Sequence, residues 1–102
     1  MKHNYKIYQL EIHDFVKKAY ASWDWLNKYF GGFNMDGYKE VWEDEIETPD
    51  ETQAESVLEV LFEKFNFAHP KNYHGRSMST SDVVLLDGVK YYCNSFGWVK
   101  ID

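Results

Sequence analysis

Two short runs of aliphatic, β-branched and aromatic residues flank the dipeptide Asp87-Gly88 near the end of the chain. Asp-Gly between two such runs favours a type I′ turn, because both central residues of that turn adopt positive φ. A two-residue turn also fixes the register of the two strands that it joins. The resulting pairs are Leu86 with Val89, Val84 with Tyr91, and Asp82 with Cys93. The sequence therefore predicts a β-hairpin over residues 83–94.

The first third of the chain shows two different periods of its apolar positions. Residues 5–10 alternate between two faces, which predicts a first strand. From Phe15 to Phe30 the apolar residues instead recur at helical spacing. We therefore expect a helix that Asp14 caps and that ends at Gly31-Gly32.

The middle of the chain predicts a second strand and a second helix. Residues 38–46 carry charges on both faces, which favours a strand at the edge of a sheet. Thr48, Pro49 and Glu51 then form the pattern of a capping box with proline at the first helical position. We expect a helix over 49–66, with one core stripe formed by Ala54, Val57, Leu58, Leu61, Phe62 and Phe65.

An irregular connection over 70–81 and a short final strand over 98–101 complete the predicted elements. Their order is strand, helix, strand, helix, hairpin, short strand. This order predicts a single α+β domain spanning residues 1–102. Its two helices should pack on one face of a small, mainly antiparallel sheet.

Composition narrows the class of protein. The chain is 44% hydrophobic and 19% aromatic, enough for one filled core. No apolar run approaches the ~20 residues that a membrane span needs. The first residues lack the apolar stretch of a secretory signal, and the single Cys93 fits a reducing compartment. We expect a cytoplasmic protein with no cofactor and no metal.

The net charge of −6 argues against direct nucleic-acid binding, which depends on neutralising phosphates with lysine and arginine. The charge is uneven, because residues 36–63 hold eleven acids and a single base, Lys39. Solvated surface is the common explanation of such a run. The alternative is a continuous acidic surface on the predicted edge strand and second helix, with exposed tryptophan as an anchor. The candidate partner-binding residues are Glu40, Glu43, Asp44, Glu45, Glu47, Asp50, Glu51, Glu55, Glu59, Trp42 and Trp25.

The connection over 70–81 holds the other candidate site. Arg76 is the single arginine of the chain, with His74 before it and Asp82 at the start of the hairpin. A guanidinium can bind a carboxylate or phosphate of a ligand in bidentate fashion. The favoured interpretation is an internal clamp, in which Arg76 binds Asp82 or a helix end and holds the connection shut. Cys93 lies within a predicted strand, so a structural thiol is favoured over a nucleophile.

The run HGRSMSTSDVVLLDG followed by YYCNSFGW resembles the YodL-like domain family. The segments LFEKFNFAHPKNY, YKIYQL and YKEVWEDEIE fit the same pattern. The resemblance implies a small accessory module of plasmids, conjugative elements and phages of Gram-positive bacteria, often encoded beside anti-restriction genes. It implies no catalytic residue.

These observations together predict a protein that is not an enzyme and that acts by protein–protein binding. The sharpest hypothesis is a counter-defence inhibitor, of anti-CRISPR or anti-restriction type. Its acidic surface would bind a nucleic-acid-handling host enzyme, such as a CRISPR effector or a restriction nuclease. The alternatives are a ligand-binding or enzymatic accessory domain centred on His74, Arg76 and Asp82, or a structural module of element-encoded proteins.

Overall fold

A computed structural model describes residues 1–11 and 20–101. Within these ranges the chain forms five strands and two helices: β1 (Lys2–Leu10), α1 (Trp23–Tyr29), β2 (Tyr38–Glu47), α2 (Ala54–Phe67), β3 (Val83–Leu86), β4 (Val89–Cys93) and β5 (Trp98–Ile101). The strands form one sheet in the order β2-β1-β3-β4-β5, with every neighbouring pair antiparallel. The predicted α+β class and element order are confirmed.

The β3–β4 hairpin has the predicted turn and register. Asp87 and Gly88 have φ of +49° and +84°, the positive values that a type I′ turn requires. Leu86 pairs with Val89 and Val84 pairs with Tyr91. The Cys93 N–H donates to the Asp82 carbonyl at 2.8 Å, which continues the hairpin beyond its last assigned pair.

The two helices cover opposite faces of the sheet. Successive strand residues point to opposite sides, so Val83 and Val84 belong to different packing clusters. Val84 packs with α2 through residues such as Leu58 and Leu61. Val83 packs with Leu26 of α1. The prediction that both helices share one face is therefore corrected. β3 is apolar on both of its faces, so each face of the sheet needs its own helix.

α2 begins at Ala54 rather than at Pro49, so the predicted capping box is absent. The backbone of Glu51 has φ of +65°, which interrupts any helix through that position. The Thr48 hydroxyl, which was expected to cap the helix, instead contacts Nε2 of His3 at 3.0 Å. The first turn is replaced by a bend in which the Thr52 hydroxyl donates to the Pro49 carbonyl at 2.6 Å.

Residues 14–19 of the predicted helix over 14–30 lie outside the described residues, and the described part of it is helical from Trp23 to Tyr29. Tyr20 has φ of +60°, and the Ser22 hydroxyl caps α1 by accepting from the Trp25 N–H at 3.2 Å. The helix ends before Gly31, close to the predicted stop. Asp14, the predicted cap, lies outside the described residues. Neither α1 nor α2 is long and apolar enough to cross a membrane.

Candidate functional site

The connection between α2 and β3 is fastened to the end of β1 by the buried Gln9 side chain. The Arg76 N–H donates to Oε1 of Gln9 at 2.9 Å, and Nε2 of Gln9 donates to the Arg76 carbonyl at 2.9 Å and to Asp82 at 3.0 Å. The Tyr73 hydroxyl also donates to the Arg76 carbonyl, at 2.6 Å. A Cβ on Gly75 would lie 2.9 Å from Oε1 of Gln9 and overlap Tyr73, so only glycine fits there. These contacts make the connection a packed part of the fold.

The side chain of Arg76 also holds the connection against the end of β1. Nη2 donates to the Leu10 carbonyl at 2.8 Å. The positive charge of Arg76 also lowers the pKa of Asp82, against the larger effect of burial. The guanidinium therefore binds the carbonyl of Leu10, the last residue of β1.

Asp82 is 1% exposed and belongs to the interior. Its Oδ2 accepts from the Ser79 N–H and from Gln9, each at 3.0 Å, whereas its Oδ1 has no hydrogen-bond partner among the described residues. Burial raises the pKa of this carboxyl to about 7, despite the opposing hydrogen bonds and the charge of Arg76. Such a carboxyl is near its titration point at neutral pH, yet no solvent-exposed part of it is left for a ligand.

His74 lies apart from this buried carboxyl. It is exposed and lines an open groove with Arg76, Lys39 and Glu11. Asp82 does not line that groove. In the part of the chain that the structure describes, no group of three or more His, Cys, Asp or Glu side chains is placed to hold a metal ion. His74, Arg76 and Asp82 thus do not converge on one open site.

Cys93 is 3% exposed. Burial raises the pKa of its thiol to about 12, with further contributions from the negative charges of Asp82 and Glu59. A neutral, buried thiol is a poor nucleophile. The geometry agrees with a structural cysteine.

The candidate acids of β2 lie on an edge strand, as predicted, because β1 is the one described strand that pairs with β2. Strand alternation, together with the bulge opposite Ile7, places four of these acids on the sheet face that points away from α2. We call these four residues the edge acids: Glu40, Glu43, Glu45 and Glu47. Asp44 projects toward the other face. The edge acids are exposed, and salt bridges join them to Lys2, Lys6 and the N-terminal ammonium at 3.2–3.5 Å. Exposed pairs of this kind contribute little stability and leave the carboxylates accessible.

The acids of α2 occupy a different part of the surface. Oε1 of Glu59 accepts from the indole N–H of Trp98 at 3.0 Å, and Trp98 belongs to β5, the opposite edge of the sheet. Four strand spacings of about 4.8 Å separate β5 from β2, or about 19 Å. Glu55 lies one helical turn before Glu59, while Asp50 lies near β2, 3.4 Å from the N-terminal ammonium. The single acidic surface envisaged from the sequence is therefore divided between two edges.

The two candidate tryptophans also differ. Trp42 is half-buried, packs against Phe65 and Tyr73, and donates to the Tyr5 hydroxyl at 3.2 Å. It is a core residue and is not available as an interface anchor. Trp25 is 52% exposed on α1, with its ring centroid 4.3 Å from that of Tyr29.

Sequence reasoning missed a polar cluster at the hairpin turn. Nδ1 of the buried His3 lies 2.5 Å from Oδ2 of Asp87, and the Asn4 N–H donates to Oδ1 of the same carboxylate at 3.0 Å. His3 thereby joins the turn to Thr48 at the end of β2. The available signal was weak, since it consisted of one histidine two residues before the predicted first strand and one turn aspartate.

Comparison with known proteins places the whole fold in one family. No curated protein and no solved structure matches this sequence. A sequence model of the YodL-like domain matches residues 4–102, which covers every element described above except the first two residues of β1. The chain therefore belongs to the YodL-like domain family.

Proposed function

We propose that this YodL-like domain acts by binding a protein partner, and that the edge acids on β2 form the contact surface. The target class that fits best is a nucleic-acid-handling host enzyme, such as a CRISPR effector nuclease or a restriction enzyme. The domain would then serve a mobile element as a counter-defence inhibitor. The family resemblance suggests the mobile-element setting, and the residues suggest the mode of binding.

The observation that carries the proposal is the exposed row of carboxylates on a ten-residue edge strand. Glu40, Glu43, Glu45 and Glu47 project from one face, and the outer side of β2 meets no other strand among those that the structure describes. A basic, phosphate-binding groove would be attracted to this surface over a distance comparable with the Debye length, about 10 Å at 0.1 M salt. Lys2 is exposed and Lys6 is partly exposed, so a partner's basic groups can replace them at little cost.

The arrangement of the loop residues does not favour the alternative of a ligand or catalytic site. Asp82 is buried, and Arg76 is committed to the Leu10 carbonyl. A protein contact on the edge strand needs neither of them.

The experiment is a nuclease-cleavage and plasmid-interference assay against a panel of CRISPR effectors and restriction enzymes. One variant carries Glu43→Gln, Glu45→Gln and Glu47→Gln. The matched control carries Glu51→Gln, Glu55→Gln and Glu63→Gln, which removes the same charge from the α2 region. Glutamine preserves size and polarity, and a melting curve for each variant verifies folding.

We expect the wild type and the control to inhibit a member of the panel, and the edge variant to associate more slowly. Association of the wild type should slow further as salt rises, since steering charges act mainly on the association rate. A wild type that inhibits no member of the panel refutes the counter-defence role. Equal inhibition by a folded edge variant refutes the assignment of the edge acids.

A further inference from the structure

A cleft of about 260 Å³ opens between α2 and the turn that joins β4 to β5, at the sheet edge opposite the edge acids. Its lining includes Glu59 and Phe62 of α2, Cys93 of β4, Phe96 of the turn and Trp98 of β5. Three of these five side chains are aromatic, and one is a carboxylate. Among the residues that the structure describes, no lysine or arginine belongs to the lining.

The turn holds Phe96 in an unusual position. Phe96 is 94% exposed, so the fold derives almost nothing from this large apolar ring. The turn is nevertheless well ordered by hydrogen bonds. The Asn94 N–H donates to the Gly97 carbonyl at 3.0 Å, and Oδ1 of Asn94 accepts from the N–H groups of Ser95 and Trp23, each at 2.9 Å. A preorganised turn that presents an exposed aromatic ring is suited to recognition.

The carboxylate of Glu59 is also positioned. Its Oε1 accepts from the indole N–H of Trp98 at 3.0 Å, which holds the charge beside the aromatic walls. Phe62 packs edge-on against the same indole, with 6.5 Å between ring centroids. Glu55 and Glu63, one helical turn away on either side, are exposed and are not part of the cleft lining. The Cys93 thiol at the cleft is neutral, because burial raises its pKa to about 12.

We propose that this cleft binds the side chain of an arginine that a partner protein presents. A cation is attracted to the faces of Phe96 and Trp98 and to the carboxylate of Glu59. Arginine fits better than lysine, because its planar guanidinium can stack on a ring while its N–H groups donate to the carboxylate. The proposal goes beyond the proposed function, since the cleft and the edge acids lie at opposite edges of the sheet.

The test is an NMR titration of the ¹⁵N-labelled protein with a capped tripeptide in which arginine is flanked by glycines. A citrulline tripeptide is the neutral control of nearly identical shape. We expect millimolar binding of the arginine peptide, with chemical-shift changes centred on the Trp98 indole and the Gly97 amide. The citrulline peptide should bind at least about ten-fold more weakly. Equal binding of the two peptides, tighter binding of a lysine peptide, or shift changes elsewhere would overturn the proposal.

Two variants with matched controls localise the effect. Glu59→Gln keeps an acceptor for the Trp98 indole and removes the charge, and Glu63→Gln makes the same change outside the cleft lining. Phe96→Ala removes the exposed ring, and Phe67→Ala removes another phenylalanine that is 84% exposed. We expect the first member of each pair to weaken arginine binding and the second to preserve it. The variant that lacks the edge acids should bind the arginine peptide as the wild type does, because the cleft lies at the opposite edge of the sheet. Either proposal can therefore fail while the other stands.

Discussion

Replacing Asp82 by asparagine should remove a penalty that the native fold carries at neutral pH. Burial raises the pKa of Asp82 from 3.8 to about 7, so its ionised form is disfavoured in the folded chain. As pH rises from about 4 to 7, the unfolded chain releases this proton while the folded chain retains it. The free energy of unfolding therefore falls across that window and the loss is complete above pH 7. A difference of about three pKa units corresponds to about 4 kcal/mol.

The asparagine side chain keeps one oxygen to accept from Ser79 and Gln9. Its amide nitrogen would take the place of Oδ1, which has no partner among the described residues. An unsatisfied N–H group costs about 1–3 kcal/mol, so the net gain of Asp82→Asn at pH 8 should be about 1–3 kcal/mol. At pH 4 the gain should disappear or reverse, because the native carboxyl is then protonated in the folded state.

The assay is urea unfolding followed by tryptophan fluorescence at several pH values between 4 and 8. Asp36→Asn, which changes an exposed aspartate, serves as the control. The informative quantity is the difference in unfolding free energy between each variant and the wild type at each pH. A difference for Asp82→Asn that stays constant across the window would refute the reasoning, whatever its sign.

Three further outcomes follow from the same connection and from the hairpin. Arg76→Lys should lower the free energy of unfolding by about 1–2 kcal/mol, because lysine cannot reproduce the hydrogen bond of the guanidinium to the Leu10 carbonyl. A thermal melt measures the loss of stability, and an unchanged melting temperature would contradict the prediction. Gly75→Ala should lower the free energy of unfolding by about 1–3 kcal/mol, because the added methyl group overlaps Tyr73. An unchanged free energy in urea unfolding would show that the connection between α2 and β3 can relax. Cys93 should react with a thiol reagent far more slowly in the native protein than in urea, and rapid native labelling would restore the nucleophile hypothesis.

The parts of the fold that local chemistry determines could be predicted from the sequence. The hairpin register depends on Asp87-Gly88 alone, and it was predicted correctly. The start of α2 was wrong because Thr48 has two possible partners, its own helix and His3. His3 is 45 residues away in the sequence, and nothing in the local pattern reveals that competition.

The candidate sites show the same limit. Arg76 and Asp82 stand out as residue types, but their common partner Gln9 lies 67 and 73 positions away and has no distinctive pattern. The division of the acids could not be foreseen either. It depends on the path of α2 across the sheet, which brings Glu59 to Trp98 rather than to β2.

The position of β1 in the sheet has a consequence for the order of folding. β1 lies between β2 and β3, and its pair Tyr5 with Leu86 spans 81 residues. During synthesis from the N-terminus, β1 can pair with β2 well before its other edge finds a partner. The edge of β1 that pairs with β3 stays without a partner until the hairpin emerges. The pairing of β1 with β3 closes a loop of about 80 residues, and a contact of such long range favours slow folding. The Asp87 carboxylate, which binds both His3 and Asn4, then joins the turn of this late hairpin to the first-made strand. A ribosome-stalled chain that ends before residue 83 should therefore be a better chaperone substrate than the complete domain.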